Sequence, residues 1–220
     1  MYVITSINPY ADLCFLFFIK CFYRLKEMNL LIYLDNAATS WPKPDEVYRA
    51  VEETMRKWSG NPGRSSHKMS MEAHRIIENC RLQLARLFNC PDPSDIIFCC
   101  NCTEALNLAM SGTLLPGDHV ITGTLEHNSV ARPLEYLSKS GVEVTKIHTS
   151  PETGLQPAHI EQAIRSNTKM VIVTHVSNVT GTINPVEEIG RLCRKKNLLF
   201  LVDAAQSAGM IPIDVRGMNI

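Results

Sequence analysis

The stretch KMVIVTHVSNVTGTINPVEEIGRLCRKKNLLFLVDAAQ, residues 169–206, decides the fold. Two short runs within it, MVIVT and LLFLV, are apolar throughout, which is typical of strands buried on both faces of a sheet. The residues between them, about 185–196, have the periodicity of a helix. A strand, a helix and a second strand in this order form a parallel pair with a right-handed crossover. The segment therefore predicts an α/β fold, a mostly parallel sheet with helices on both faces.

The same alternation extends toward the N-terminus. Apolar runs predict strands at 95–100, 118–122, 142–147, 169–175 and 198–202. Apolar residues at helical spacing predict helices at 44–58, 67–88, about 103–113, 128–140, 157–165 and 185–196. In a sheet of this kind ligands bind beyond the carboxyl ends of the strands. The residues that follow each run are therefore the candidates for a functional site.

Composition excludes several classes of protein. The 220 residues hold 22 basic and 22 acidic side chains, a balance that argues against a nucleic-acid binder. The hydrophobic fraction of 45% argues against disorder. The apolar stretch at 11–23 is too short to span a membrane and contains Lys20. The sequence also has no glycine-rich dinucleotide or P-loop motif. We predict a cytoplasmic protein with no nucleic-acid or membrane partner.

Residues 1–27 differ from the rest of the chain, and a second methionine, Met28, precedes the first regular pattern. We expect 1–27 to be an extension outside the fold and 28–220 to form one domain. The eight cysteines lack the paired spacing of a zinc site. We expect them to be small buried residues in a reducing compartment.

Four strand ends carry candidate ligand-binding residues. Thr103 opens a predicted helix, whose N-terminus either binds an anion or is simply capped by the threonine. Asp203 ends a buried run and is either the counter-ion of a cationic ligand or a buried cap or ion pair. Gln206 follows three residues later, as a ligand contact or a turn amide. His127 either stacks on a ligand or begins a helix, and Asn178 is either a site residue or a turn residue.

These residues converge on one edge of the predicted sheet. An anion site, an acid that faces a cation, an amide and an aromatic histidine together suit a flat, phosphorylated, cationic heteroaromatic ligand. Pyridoxal 5'-phosphate has that chemistry. His175, in the same region, is interpreted as structural.

Six segments carry a resemblance to a known family. The chain resembles the class V aminotransferase group of fold-type I pyridoxal-phosphate enzymes, and within it the branch of the cysteine desulfurases and selenocysteine lyases. The resemblance runs from about residue 32 to residue 214, with the segments in the family's order. They are YLDNAATSWPKP (33–44), SGNPGRSSH (59–67), NCTEALNLA (101–109), GDHVITGTLEHNSV (117–130), THVSNVTGTINP (174–185) and LVDAAQSAG (201–209).

The resemblance assigns a role to ten residues. It implies that Thr103 and the backbone N–H of Cys102 hold the cofactor phosphate and that His127 stacks on the ring. Asp203 pairs with the ring nitrogen, Gln206 binds the ring hydroxyl, and Asn178 lies near the ring or the substrate carboxylate. The residues implied for the substrate pocket and its approach are Asn36, Ala37, Ala38 and Arg64.

The chain departs from the family pattern in one respect that bears on activity. It lacks, shortly after the segment 203–206, the Ser-x-His-Lys motif whose lysine attaches the cofactor in the family, and none of its cysteines matches the nucleophile of a desulfurase. We therefore expect an N-terminal fragment, incomplete in its large domain and nearly inactive alone, with no assignable catalytic residue and no metal site.

The complete enzyme implied by the resemblance converts L-cysteine to L-alanine, leaves the sulfur on a cysteine as a persulfide, and passes it to an acceptor such as an iron–sulfur assembly protein. It is expected to be a homodimer. The alternatives are a selenocysteine lyase, a transaminase, a non-catalytic cofactor-binding protein or a purely structural α/β module.

Overall fold

The structure, a computed structural model, describes residues 32–63 and 66–220. The predicted extension at 1–27 and Arg64 lie outside the described residues. The described chain divides into two compact units, one ending at Asn79 and the other running from Cys80 to Ile220. This division refines the single domain expected at 28–220.

The first unit contains helix α1 (Asp45–Lys57) and the start of helix α2 (Lys68–Leu87). Pro44 precedes the first residue of α1, where its missing N–H group does no harm. Acidic residues begin this helix and basic residues end it, which suits the helix dipole. Its predicted apolar face, which includes Val47, Val51 and Met55, is exposed. The helix is amphipathic, as predicted, but buries no residue in this structure.

The second unit contains the sheet and most of the helices. In chain order its elements are α3 (Cys102–Ser111), β1 (His119–Gly123), α4 (Asn128–Lys139), β2 (Glu143–Ile147), α5 (Pro157–Ala163), β3 (Thr168–Thr174), α6 (Val186–Lys195) and β4 (Leu199–Asp203). The strands lie in the order β2-β1-β3-β4, and every neighbouring pair is parallel. The predicted α/β class and parallel sheet are confirmed.

Helices cover both faces of this sheet because alternate residues of a strand point to opposite sides. On one side Val120 and Ile172 pack with Met110 of α3 and Leu134 of α4. On the other side Ile121, Val171 and Val173 belong to a second cluster, whose helical members include Ile160 of α5 and Ile189 of α6. All nine of these residues are completely buried, so each face of the sheet has its own hydrophobic cluster.

Two predictions about apolar runs were wrong. Residues 96–100 are not a strand, since they follow a short 3-10 turn (Pro93–Asp95) and pair with no strand in the described part of the chain. Ile97 and Phe98 are exposed there, and the guanidinium of Arg81 lies 4.9 Å from the Phe98 ring centroid. The run LLFLV is buried on only part of its length, because β4 is an edge strand of the described sheet.

The prediction for the cysteines was also largely wrong. Of the cysteines that the structure describes, Cys193 is buried, whereas Cys80, Cys100 and Cys102 are exposed. Cys193 lies on the apolar face of α6, Cys80 lies within α2, and Cys100 and Cys102 lie at the start of α3. None of the described helices is both long enough and apolar enough to cross a bilayer.

Candidate functional site

The carboxyl ends of β1, β3 and β4 bring the candidate residues of the second unit to one edge of the sheet. Asp203 is the last residue of β4, and its backbone oxygen accepts a hydrogen bond from the N–H of His175, the first residue after β3. The loop after β1 contains Glu126 and His127. Parallel strands meet in this way at an edge, which is where ligands bind in open α/β sheets.

The N-terminus of α3 is capped by Asn101, not by Thr103. The Asn101 side chain accepts the N–H of Glu104 at 2.9 Å, and the Glu104 carboxylate accepts the N–H of Cys100 at 2.6 Å. This reciprocal pair is a capping box. Asparagine and threonine are both good N-cap residues, but the backbone bends at Asn101. The interpretation of Thr103 as the cap of α3 was therefore wrong. The hydroxyl of Thr103 is therefore available for another contact.

A short chain of hydrogen bonds links α3 to α4. The Thr103 hydroxyl lies 2.7 Å from the Ser129 hydroxyl, which lies 2.8 Å from Nδ1 of His127. His127 also caps α4, since its Nδ1 accepts the backbone N–H of Ser129 at 3.1 Å. The neutral ring then carries its proton on Nε2. Thr103 and His127 are thus brought together, through a serine that sequence reasoning missed.

Asp203 is nearly fully buried, with 3% of its surface exposed. Its Oδ1 accepts the backbone N–H of Ala205 at 2.9 Å and the thiol of Cys102 at 3.7 Å. Although Cys102 as a residue is exposed, its thiol is partly shielded from water, and this shielding and the neighbouring Asp203 charge raise the pKa of Cys102 to about 11. The thiol is therefore protonated at neutral pH. The contact joins the start of α3 to the end of β4 and brings Cys102 and Asp203 together, although they are 101 positions apart.

Glu126 is the acidic residue that sequence reasoning passed over in favour of its neighbour His127. Its Oε1 accepts the backbone N–H of Thr174, the last residue of β3, at 3.0 Å. Burial is the main reason that the pKa of Glu126 rises to about 8. Like Asp203, it is a carboxyl group just after a buried strand, and that pattern is the signal that could have found it.

The remaining candidates of the second unit lie in turns after strands. Asn178 is exposed, in the turn that the Ser177 and Thr182 backbones close at 3.0 Å, so the turn interpretation describes its position. Gln206 is half-buried in the turn that follows Asp203. His175 is buried, and its backbone bonds to Asp203 and Asn184 fix the end of β3. Burial lowers the pKa of His175 to about 4.

Asn36, Ala37 and Ala38 belong to the first unit, in a turn that begins at Asp35. The Asn36 side chain accepts the backbone N–H of Trp41 at 3.2 Å, and the N–H of Ala38 donates to the Asp35 carbonyl at 3.1 Å. All three predicted substrate residues are exposed. The turn therefore presents their surfaces to solvent within its own unit.

A cavity of about 490 Å³ lies between α3 and α4. Hydroxyl, amide, imidazole and guanidinium groups line it, together with one proline ring. Its lining residues are Thr103, Asn107, Ser111, His127, Asn128, Ser129, Arg132, Pro133 and Tyr136. The helix geometry leaves the N–H groups of Cys102 and Thr103 without intrahelical acceptors. A phosphate fits this donor set, to which Arg132 adds a positive charge that sequence reasoning missed.

Comparison with known proteins gives a consistent picture. The family model described as aminotransferase class-V matches residues 32–220. Among curated proteins, cysteine desulfurase IscS of Glaesserella parasuis serovar 5 (strain SH0165) is 40% identical over 199 residues, which are 88% of this chain and 48% of that protein. IscS of Shewanella woodyi (strain ATCC 51908 / MS32) is 41% identical over 200 residues, 88% of this chain and 49% of that protein.

Solved structures agree with the sequence relatives. A structure described as SspA in complex with cysteine matches with a TM-score of 0.80 and 31% identity, over 86% of this chain and 55% of that one. The apo cysteine desulfurase of Thermococcus onnurineus NA1 matches with a TM-score of 0.79 and 34% identity, over 87% of this chain and 48% of that one. The chain spans about half the length of the curated relatives it matches.

Proposed function

The chain belongs to the class-V aminotransferase family, and from that premise we propose that its sheet edge is the pyridoxal 5'-phosphate site of a cysteine desulfurase. The single observation that carries the proposal is the pairing of a buried carboxyl group, Asp203, with an anion-binding donor set at the start of α3 on the same edge. This arrangement separates a place for a positive charge from a place for a negative one. Few ligands other than a phosphorylated cationic ring need both.

Each residue has a physical task in this proposal. The N-terminus of α3, with Cys102 N–H and the Thr103 hydroxyl, binds the phosphate, and Ser129 and Arg132 support it from α4. The His127 ring stacks on the pyridine, held in place by the bonds of its Nδ1 to Ser129. Asp203 holds a proton at the ring nitrogen, since a buried carboxylate stabilises a cation strongly. We assign Gln206 to the ring hydroxyl.

When bound, pyridoxal phosphate supplies the electron sink that stabilises a carbanion at the α-carbon of an amino acid. The proton that Asp203 keeps on the ring nitrogen strengthens that sink. We propose L-cysteine as the substrate of the whole protein, with L-alanine and a persulfide as products, because the curated relatives are cysteine desulfurases and one matched structure contains cysteine. Asn178, the turn at Asn36–Ala38 and Arg64 are proposed to contact the substrate.

The proposal extends to partners and location. The persulfide sulfur is passed to an acceptor protein, and the whole protein is a homodimer in the cytoplasm. The six cysteines in the described ranges are all free thiols, which favours a reducing compartment. The 220 residues contain a Ser-x-His-Lys sequence at 65–68 but none after the segment 203–206, where the family has its cofactor-binding lysine. We therefore expect no turnover of L-cysteine by this chain alone.

The experiment is a titration of the purified chain with pyridoxal 5'-phosphate, followed by absorbance and checked by equilibrium dialysis. Asp203→Asn removes the charge but keeps the side-chain volume. We expect its Kd to rise about 100-fold, which corresponds to about 2.7 kcal/mol. Asp118→Asn is the matched control, because Asp118 accepts a backbone N–H at the opposite end of β1. Equal affinities for Asp203→Asn and the control would contradict the proposal.

A further inference from the structure

Glu126 is a carboxyl group at this edge of the sheet to which the proposed function gives no role. Its Oε1 accepts the backbone N–H of Thr174, the last residue of β3, and the backbone N–H of Gly123, the last residue of β1, also interacts with the carboxyl group. The carboxyl group thus spans the ends of the two central strands. An added Cβ on Gly123 would stand 3.3 Å from Oε1, which shows how closely the backbone wraps this oxygen.

The second oxygen of Glu126 is in a very different position. Oε2 is buried and has no hydrogen-bond partner among the described residues. An ionised carboxylate needs donors on both oxygens, and its burial without them is strongly unfavourable, more so than the burial of a neutral polar group. No cation is among the groups that act on this carboxyl within the described residues. The acid form avoids most of this cost.

The titratable groups around Glu126 favour the same form. Asp203 at the end of β4 repels a second negative charge, and this raises the pKa of Glu126 further, after burial. From α3, the Cys102 thiol is neutral because its pKa is about 11. From β3, His175 is neutral at pH 7 because its pKa is about 4. His127 follows Glu126 in its own loop, and His148 after β2 is exposed.

The two carboxyl groups differ in the donors they receive. Asp203 accepts two donors on Oδ1, the backbone N–H of Ala205 and the thiol of Cys102. One carboxyl oxygen of Glu126 accepts a backbone hydrogen bond, whereas the other is buried without a partner among the described residues. When two nearby carboxyl groups share an edge and one proton, the proton resides on the group whose charge is less well solvated.

We propose that Glu126 is a positioning residue of the cofactor site, which carries a proton on Oε2 at neutral pH and thereby leaves Asp203 as the ionised carboxylate of the edge. The inference rests on the proposed function only for the meaning of the Asp203 charge. Glu126 does not touch the reacting atoms and acts through Asp203. The geometry of its two oxygens, one held by strand ends and one buried alone, is what assigns the proton to it.

The test is a direct titration of the carboxyl groups. The purified chain is labelled with ¹³C at the glutamate side-chain carboxyls and followed by NMR against pH, without cofactor. We expect one glutamate resonance to titrate with an apparent pKa of about 8 and to be absent from Glu126→Gln. Glu143→Gln, at the other end of the sheet, is the control and leaves that resonance in place. Titration of every glutamate in the ordinary range would overturn the inference.

A second measurement keeps the two proposals separate. Glu126→Gln mimics the neutral acid and retains an oxygen for the strand-end N–H groups. We expect its Kd for pyridoxal 5'-phosphate at pH 7 to stay within about threefold of the unsubstituted chain, or about 0.7 kcal/mol. A loss as large as that expected for Asp203→Asn would overturn the inference, because it would mean that Glu126 supplies a charge. Unchanged binding by Asp203→Asn instead defeats the proposed function and leaves the NMR result standing.

Discussion

The two ends of the sheet differ in how their buried polar groups are hydrogen-bonded. At the amino end, His119 is completely buried, and both ring nitrogens have partners, Thr168 and Thr145, each at 2.8 Å. At the carboxyl end, Glu126 buries an oxygen that no described residue satisfies. The first arrangement is closed within the protein and stabilises it. The second is incomplete, and a buried polar group without a partner is a common sign of a functional site.

Other polar groups at the amino end of the sheet also have hydrogen-bond or ion-pair partners within the protein. The Asn167 amide donates to the Gly117 carbonyl at 2.9 Å and to the Glu143 carboxylate at 3.0 Å. Arg165 pairs with the same carboxylate at 2.6 Å, on the surface. His119 thus joins β1 to both neighbouring strands, and the surrounding loops add bonds around it. The comparison teaches that polarity alone does not mark a site, whereas unsatisfied polarity does.

The largest effect is expected from a substitution at the amino end of the sheet, where both ring nitrogens of His119 have partners. His119→Ala removes a fully buried ring and leaves the Thr145 and Thr168 hydroxyls without their partner. We expect the free energy of unfolding to fall by about 2–4 kcal/mol, as for other buried large-to-small changes that orphan polar groups. Urea denaturation followed by circular dichroism measures it. The Kd for pyridoxal 5'-phosphate, corrected for the fraction of molecules that are folded, should stay unchanged. A loss of affinity without a loss of stability would contradict the distinction between the two ends of the sheet.

A pH series sharpens the comparison. Burial lowers the pKa of both His119 and His175 below 6.5, to about 4 for His175. The unfolded chain therefore binds protons first as the pH falls, and stability decreases below pH 6.5. Glu126 has the opposite effect: because its pKa is raised, the burial of its carboxyl group destabilises the protein less at low pH. The pH series is therefore run on Glu126→Gln. Between pH 7 and pH 5 we expect His175 alone to account for a loss of about 2 kcal/mol.

The control for the pH series is His159→Gln in the same background. His159 is exposed on α5, so its substitution should leave the slope unchanged. His175→Gln, by contrast, should make the slope distinctly shallower. A free energy of unfolding that stays constant between pH 7 and pH 5 in the Glu126→Gln background would contradict the assignment of neutral, buried histidines.

The smallest effect is expected at the open end. Ser129→Ala breaks the hydroxyl link between Thr103 and His127 but keeps the backbone bond that caps α4. We expect the Kd for pyridoxal 5'-phosphate to rise about fivefold, close to 1 kcal/mol, with little change in stability. Ser138→Ala, on the exposed end of the same helix, is the control. Equal Kd values for the two variants would show that the link does not orient the histidine.

Periodicity was sufficient to predict the regular elements that have partners. The four strands of the sheet and the six α-helices of the described residues lie within a few residues of their predicted positions. Strands β1 and β3 are apolar because both of their faces are covered, and that requirement is visible in the sequence. The run at 95–100 is equally apolar, yet no strand pairs with it in the described ranges. Hydrophobic pattern alone does not reveal whether a strand has a neighbour.

The positions of some candidate site residues could be predicted from the sequence and those of others could not, for physical reasons. Asp203, Cys102, Thr103 and His127 all lie at strand or helix ends, which are positions that sequence can mark. Ser129 and Arg132 enter the site only because α3 and α4 pack side by side, and that packing is set by the whole sheet. Glu126 did carry a signal, a carboxyl group after a buried strand.

The strand order has a kinetic consequence. β1 pairs with β3, so His119 and Thr168 must meet before the centre of the sheet exists, and β2 joins the outer side. Parallel pairings between distant residues form slowly, because loop closure comes before any gain from contact. Thr103 and His127 leave the ribosome before Asp203, which arrives only with β4, the last strand of the described sheet in chain order. During synthesis the start of α3 and the loop after β1 therefore wait, without the Asp203 carboxylate, until β4 is added.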